Sequence, residues 1–179
     1  NLLVMLKFGL LSLTAFVYFH QWQKLRGSQP SKLSNSFQLA CAIMYAFSAY
    51  QLAFLNQPMW IDVAILFPLI LLGLEHIFHE KGCLLYIGSL ALAMIANFYI
   101  SFSVCIFLVL YTVYLLVLRW PELSISKKKA VIRSFIISSV VAAGLSAFVL
   151  VPTYKAILLT DASQVGFPGK IELYHSISA

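Results

Sequence analysis

Residues 83–118 read "CLLYIGSLALAMIANFYISFSVCIFLVLYTVYLLVL" and carry no formally charged side chain. In hydrocarbon every backbone N–H and C=O must be bonded within the protein, which leaves helices or closed barrels as spanning structures. The run lacks the two-residue alternation of barrel strands, so it reads as helix. One straight helix of this length would extend about 54 Å, against a hydrocarbon core of roughly 30 Å, so it has to break. The break is expected at "ANFYIS", where Asn97 and Ser101 offer hydrogen bonds to a turning backbone and Tyr99 suits the headgroup level. The result is a tight hairpin of two apolar helices.

The rest of the chain has the same character. It is 61% hydrophobic and 10% charged, with a mean hydropathy of +0.92. Soluble chains carry about 25% charged residues. Such a chain lacks the polar residues to cover a water-facing surface, so lipid is its solvent and the fold class is an all-α transmembrane helix bundle. About six spans are expected: Leu2 to Phe19, Phe37 to Leu55, Ile61 to Phe78, the two halves of the hairpin, and Val131 to Val151, ending at Pro152. The uncharged centre of the third run, Val63 to Leu74, is short enough to suit a re-entrant or protein-buried helix. Residues 1–153 would form the membrane bundle and 154–179 the start of an extracytoplasmic segment.

Charge sets the orientation. The loop "HQWQKLRGSQPSKLSNS", residues 20–36, holds Lys24, Arg26 and Lys32. Lys81, Arg119, Lys127, Lys128, Lys129 and Arg133 fall on the same side, while Lys155 and Lys170 fall on the other. The positive side is cytoplasmic. Asn56 to Asp62, Asn97 to Ser101 and everything after Val151 are then expected on the outer, extracytoplasmic side.

Asp62 stands at the outer start of the third run, where a carboxylate can cap free helix N–H groups and meet the positive dipole end. It also has a sugar-binding inventory around it. Trp60 precedes it, Asn56 and Gln57 share its loop, and the facing turn adds Asn97 and Tyr99. Sugars present hydroxyls at their rims and C–H groups on their faces, which amides, acids and aromatic rings match.

Other candidates are weaker. In "LEHIFHEKG", residues 74–82, Glu75 and His79, and His76 and Glu80, are spaced to share helix faces. The segment lies about 20 Å along the helix from Asp62 and reads as an interfacial helix end, with no metal assigned. The lysine run 127–129 reads as a topology signal attracting anionic lipid, with no nucleic-acid partner. Cys41, Cys83 and Cys105 each sit in an apolar run and read as packing residues. No phosphate-cradling glycine loop, nucleophile elbow or HExxH is present, and no cofactor is expected.

Three stretches carry a family resemblance: "YAFSAYQLAFLNQPMWIDVAILFPLILLGLEHI" (45–77), "LYIGSLALAMIANFYISFSVCIFLVLY" (85–111) and "VLVPTYKAILLT" (149–160). In their order of Asn, Trp-x-Asp, Pro-Leu, Asn-Phe-Tyr-Ile and Pro-Thr-Tyr, they resemble the bacterial YfhO membrane-protein family. The resemblance implies a GT-C type glycosyltransferase that takes a sugar from a polyprenyl-phosphate carrier and adds it to an envelope glycopolymer such as lipoteichoic acid. It also implies that the principal catalytic acid lies in a first outer loop upstream of Asn1, so the chain is expected to be an internal piece, inactive by itself. Asp62 would be a secondary acid, with Trp60 or Tyr99 stacking on a sugar ring and Asn56 or Asn97 bonding its hydroxyls. The alternatives are a transporter or flippase of lipid-linked envelope precursors and a non-catalytic membrane scaffold.

Overall fold

The computed structural model describes residues 2–25, 27, 32–54, 57–119 and 124–159. Eight helices occupy these residues: α1 (Leu2–Leu25), α2 (Lys32–Ala46), α3 (Ala49–Ala53), α4 (Pro58–Phe78), α5 (Leu84–Ala96), α6 (Phe98–Leu118), α7 (Ile125–Leu145) and α8 (Ala147–Leu158). Leucine, isoleucine and phenylalanine side chains line the outward faces of α1, α6 and α7. An apolar surface of this extent belongs in lipid. The chain is a multi-pass membrane helix bundle.

Two ion pairs at opposite ends establish the topology. Lys7, near the start of α1, meets Asp62, near the start of α4, at 2.6 Å. Arg119, just past α6, meets Glu75, near the end of α4, at 2.9 Å. Helices α1, α4 and α6 are therefore parallel, and the chain must return twice between them. The α2–α3 pair makes the first return: Gln38 of α2 bonds Gln23 of α1, and Phe47 packs on Phe8 with ring centres 5.3 Å apart. Helix α5 makes the second, and α7 runs beside it, with Tyr86 bonded to Ser139 at 3.0 Å and Ser146 to Ala91 at 3.2 Å.

The span count differs from expectation. Among the described residues only α1, α4 and α6 are long and apolar enough to cross a membrane, and α7 with α8, bent by 72°, make up to a fourth. The second expected span is broken between Ala46 and Ala49, and α5 has 13 residues, about 20 Å of rise. Of the two short returns, α5 is shielded by its neighbours, and its buried residues form much of the core with α4, whereas α2 and α3 keep Phe37, Met44 and Leu52 on an exposed face. Protein burial lets a broken or short helix sit at membrane depth, because neighbours can satisfy what lipid cannot. The last helix also departs from the sequence reading. Pro152 lies inside α8, where the sequence reading put the end of the run, and the expected boundary at 153/154 falls within that helix. Residues 160–179 lie outside the described residues.

The hairpin break is where it was expected. Asn97 is extended at φ −159° and its side-chain oxygen accepts from the Ile100 N–H at 3.1 Å, so it closes α5 and caps α6. At the other end of the bundle, Glu80 adopts φ 58° and the Lys81 N–H returns to the His76 carbonyl at 2.9 Å. With the Glu80 N–H on the Ile77 carbonyl, this is a Schellman stop, with glutamate in the left-handed position that favours glycine.

Pro68 in mid-α4 has no N–H for the carbonyl one turn back, that of Ala64. The Tyr45 hydroxyl on α2 donates to that carbonyl at 2.7 Å. A residue from a neighbouring helix thus supplies the bond that proline removes, which a membrane interior requires. Tyr45→Phe is expected to destabilise the bundle by about 1–3 kcal/mol, the cost of an unpaired buried acceptor. Adding Pro68→Ala should recover most of that loss, because the restored backbone N–H can itself donate to the Ala64 carbonyl. Thermal unfolding of the two variants in nanodiscs checks the pair; equal melting of both would separate Tyr45 from Pro68.

Candidate functional site

Two residues on α4 that stand together in sequence face different neighbours. Asp62 and Trp60 are two residues apart, about 200° around a helix. Asp62 turns to α1 and Lys7, with its side chain 38% exposed against 12% for the lysine. The expectation that Asp62 caps α4 is corrected here. The helix starts at Pro58 with Gln57 before it, which places Asp62 beyond the first turn, where its partner is an ammonium rather than backbone N–H groups.

Trp60 turns instead to α3. Its indole packs on Phe54 with ring centres 4.4 Å apart, and Phe54 packs in turn on Tyr50 at 4.9 Å. Together with Ser48, Gln51, Phe67 and Ile100, Trp60 and Tyr50 line a cleft of about 250 Å³ between α3, α4 and α6. Gln51 is 2% exposed, and its side-chain Oε1 has no hydrogen-bond partner. Ser48 stands at the α2–α3 break, immediately before α3, and its side chain makes no cap bond. The cleft is uncharged, aromatic on one side and amide-bearing on another.

The other expected site residues are dispersed. Tyr99 is exposed and lines a separate apolar cleft of about 320 Å³ with Met94, Phe102, Cys105 and Leu150, around the buried, unpartnered Ser101 hydroxyl. Asn97 is occupied as the cap of α6. Asn56 lies outside the described residues. Of the four singled-out residues that are described, Trp60 alone lines the cleft that holds a buried unpartnered amide.

The opposite end holds a cluster that sequence reading left as a helix end. Glu75 is 1% exposed, and its Oε2 accepts from Arg119 Nη2 at 2.9 Å. Arg119 also lies 3.4 Å from His79 Nε2 and over the Phe78 ring at 5.5 Å. Burial, and then the Arg119 guanidinium, push the His79 imidazole below its ordinary range. Glu75 Oε1 is buried without a partner. Among the described residues no three His, Cys, Asp or Glu side chains are placed to hold a metal ion.

Sequence reading missed Lys7, Tyr50, Gln51 and the Glu75–Arg119 pair. Each was visible as a polar residue inside or beside an apolar run, which is a functional or structural flag in a membrane chain. The partner of Lys7 lies on another helix, and Arg119 follows a different helix from the one that holds Glu75, so neither meeting was visible.

Comparison with known proteins gives one match. A family model described as "Bacterial membrane protein YfhO" matches residues 1–176. No curated protein and no solved structure matches the chain.

Proposed function

The chain belongs to the YfhO family of bacterial membrane proteins, and from that premise we propose that it is part of an integral-membrane glycosyltransferase. The donor is a sugar on a polyprenyl-phosphate carrier, and the acceptor is an envelope glycopolymer such as lipoteichoic acid. The reaction takes place on the outer face of the cytoplasmic membrane. The observation that carries this reading is the uncharged aromatic and amide cleft beside Trp60, set at the end of the bundle away from the basic residues.

The basic residues support the orientation. Lys24 ends α1, Arg119 follows α6, Lys81 lies in the turn after α4, and Lys127, Lys128 and Lys129 open α7. The parallel run of α1, α4 and α6 puts these at one end, which the positive-inside rule makes cytoplasmic. Lys7 lies at the other end and is offset by Asp62. The Asp62 and Trp60 end then faces outward, where a lipid-linked donor replaces a nucleotide sugar.

In the reaction, a carboxylate supplied from outside the described residues takes the proton of an acceptor hydroxyl. The oxygen attacks the anomeric carbon as the bond to the polyprenyl phosphate breaks, and the configuration inverts. Asp62, held through Oδ1 by Lys7, positions the acceptor or the sugar. Asp62→Asn in the full-length protein, at normal protein level, is expected to lower transfer at least tenfold. The exchanged pair Lys7→Asp with Asp62→Lys should restore the fold without restoring transfer. Analysis of polymer glycosylation in cells carrying each variant checks this, and unaltered transfer in Asp62→Asn reduces the pair to a structural tie.

Transport or flipping of a lipid-linked precursor is the second reading, favoured by the broken α2–α3 helix and the 72° bend between α7 and α8. Discontinuous helices are a transporter trait. A transporter delivers its substrate with the sugar–phosphate bond intact, which product analysis distinguishes.

A further inference from the structure

We propose that the cleft between α3, α4 and α6 is a subsite for a single uncharged sugar ring, with Gln51 as its specificity-determining residue. The choice of a sugar rests on the glycosyltransferase reading; the polarity and size of the cleft come from its own lining. One face of the Trp60 indole is packed by Phe54 at 4.4 Å, which holds the ring firm as a platform at the cleft wall. An indole face takes the C–H groups of a pyranose. Gln51 Oε1, buried and without a partner, is an acceptor waiting for a donor, and an orphaned buried acceptor is destabilising unless something bonds it. A sugar hydroxyl supplies that donor.

The lining narrows the class further. Among the described residues no Lys, Arg, Asp or Glu lines the cleft, so a phosphate or uronate there would meet no charged partner from them. The carrier phosphate therefore stays outside the cleft, and the ring alone enters. A volume of about 250 Å³ suits one monosaccharide. The Tyr45 hydroxyl, also on the cleft wall, is committed to the Ala64 carbonyl, and Gln51, Tyr50 and Ser48 are further polar side chains among the described lining residues.

Gln51→Met keeps the length of the side chain and removes the orphaned acceptor. If the residue were structural, this change would lower the melting temperature. If it serves a ligand, the variant should melt at or above the parent and lose sugar binding. The experiment is ligand-observed saturation-transfer NMR on the full-length protein in nanodiscs, with a panel of free neutral hexoses and N-acetylhexosamines and, separately, a short isoprenyl phosphate. At least one sugar is expected to receive saturation on its ring C–H protons, with affinity at least tenfold weaker in both Gln51→Met and Trp60→Ala. Absence of saturation from every sugar overturns the subsite, as does binding that both variants leave unchanged. Saturation of the isoprenyl phosphate alone, lost in those variants, also overturns it and gives the cleft to the carrier. Binding that obeys the prediction in a protein that transfers no sugar in cells would retain the subsite and refute the transferase reading.

Discussion

Arg119→Leu is expected to destabilise the bundle by about 3–5 kcal/mol, because it leaves the Glu75 carboxylate buried and unpaired. Glu75 is 1% exposed, and its Oε1 already lacks a partner, so the guanidinium at 2.9 Å is the main compensation for its charge. Glu75→Leu should cost less, since Arg119 is partly exposed and can turn its guanidinium toward the headgroups. The double change Glu75→Leu with Arg119→Leu is expected near the parent, because two apolar side chains need no partner. Arg119→Lys should fall between, having lost the planar fork that reaches Glu75 while resting over Phe78. A double-mutant cycle by thermal unfolding in nanodiscs measures the coupling. Additive single effects would mean that the pair does not hold α4 to α6.

The second large effect is expected at Gly73. A methyl group built there would stand 2.5 Å from the Tyr86 backbone nitrogen and 2.6 Å from its Cα. Backbone cannot swing aside as a side-chain end can, so α4 and α5 would have to part. Tyr86 would be drawn from its bond to Ser139, and the core shared by α4, α5 and α7 would open. Small residues allow this kind of close approach between membrane helices. Gly73→Ala is expected to cost about 1–3 kcal/mol or more, against the gain of up to about 1 kcal/mol that alanine brings to an open helix position. Gly88 of α5 is the control. A methyl group there meets nothing within 4 Å, so Gly88→Ala should be neutral or stabilising. Melting temperatures that move in opposite directions are the expected result; a stabilised Gly73→Ala would mean that α4 and α5 do not touch at this point.

Polarity alone determined the class of this protein. The uncharged run 83–118 could only be helix in lipid, and its length against the bilayer forced the break that Asn97 then makes. Local chemistry of this kind, a cap residue or a basic loop, acts within a few residues and is written in order along the chain. The tertiary structure decided what acts between helices. It turned Asp62 to Lys7 and Trp60 to Phe54, lent the Tyr45 hydroxyl to the carbonyl that Pro68 deprives, and closed Glu75 on Arg119. It also reduced about six expected spans to three helices of full length, with a bent fourth, among the described residues: the second run breaks between Ala46 and Ala49, and the short α5 persists because protein surrounds it. Hydropathy records how apolar a segment is. Whether lipid or another helix meets that segment depends on packing, and so does the partner each polar side chain finds.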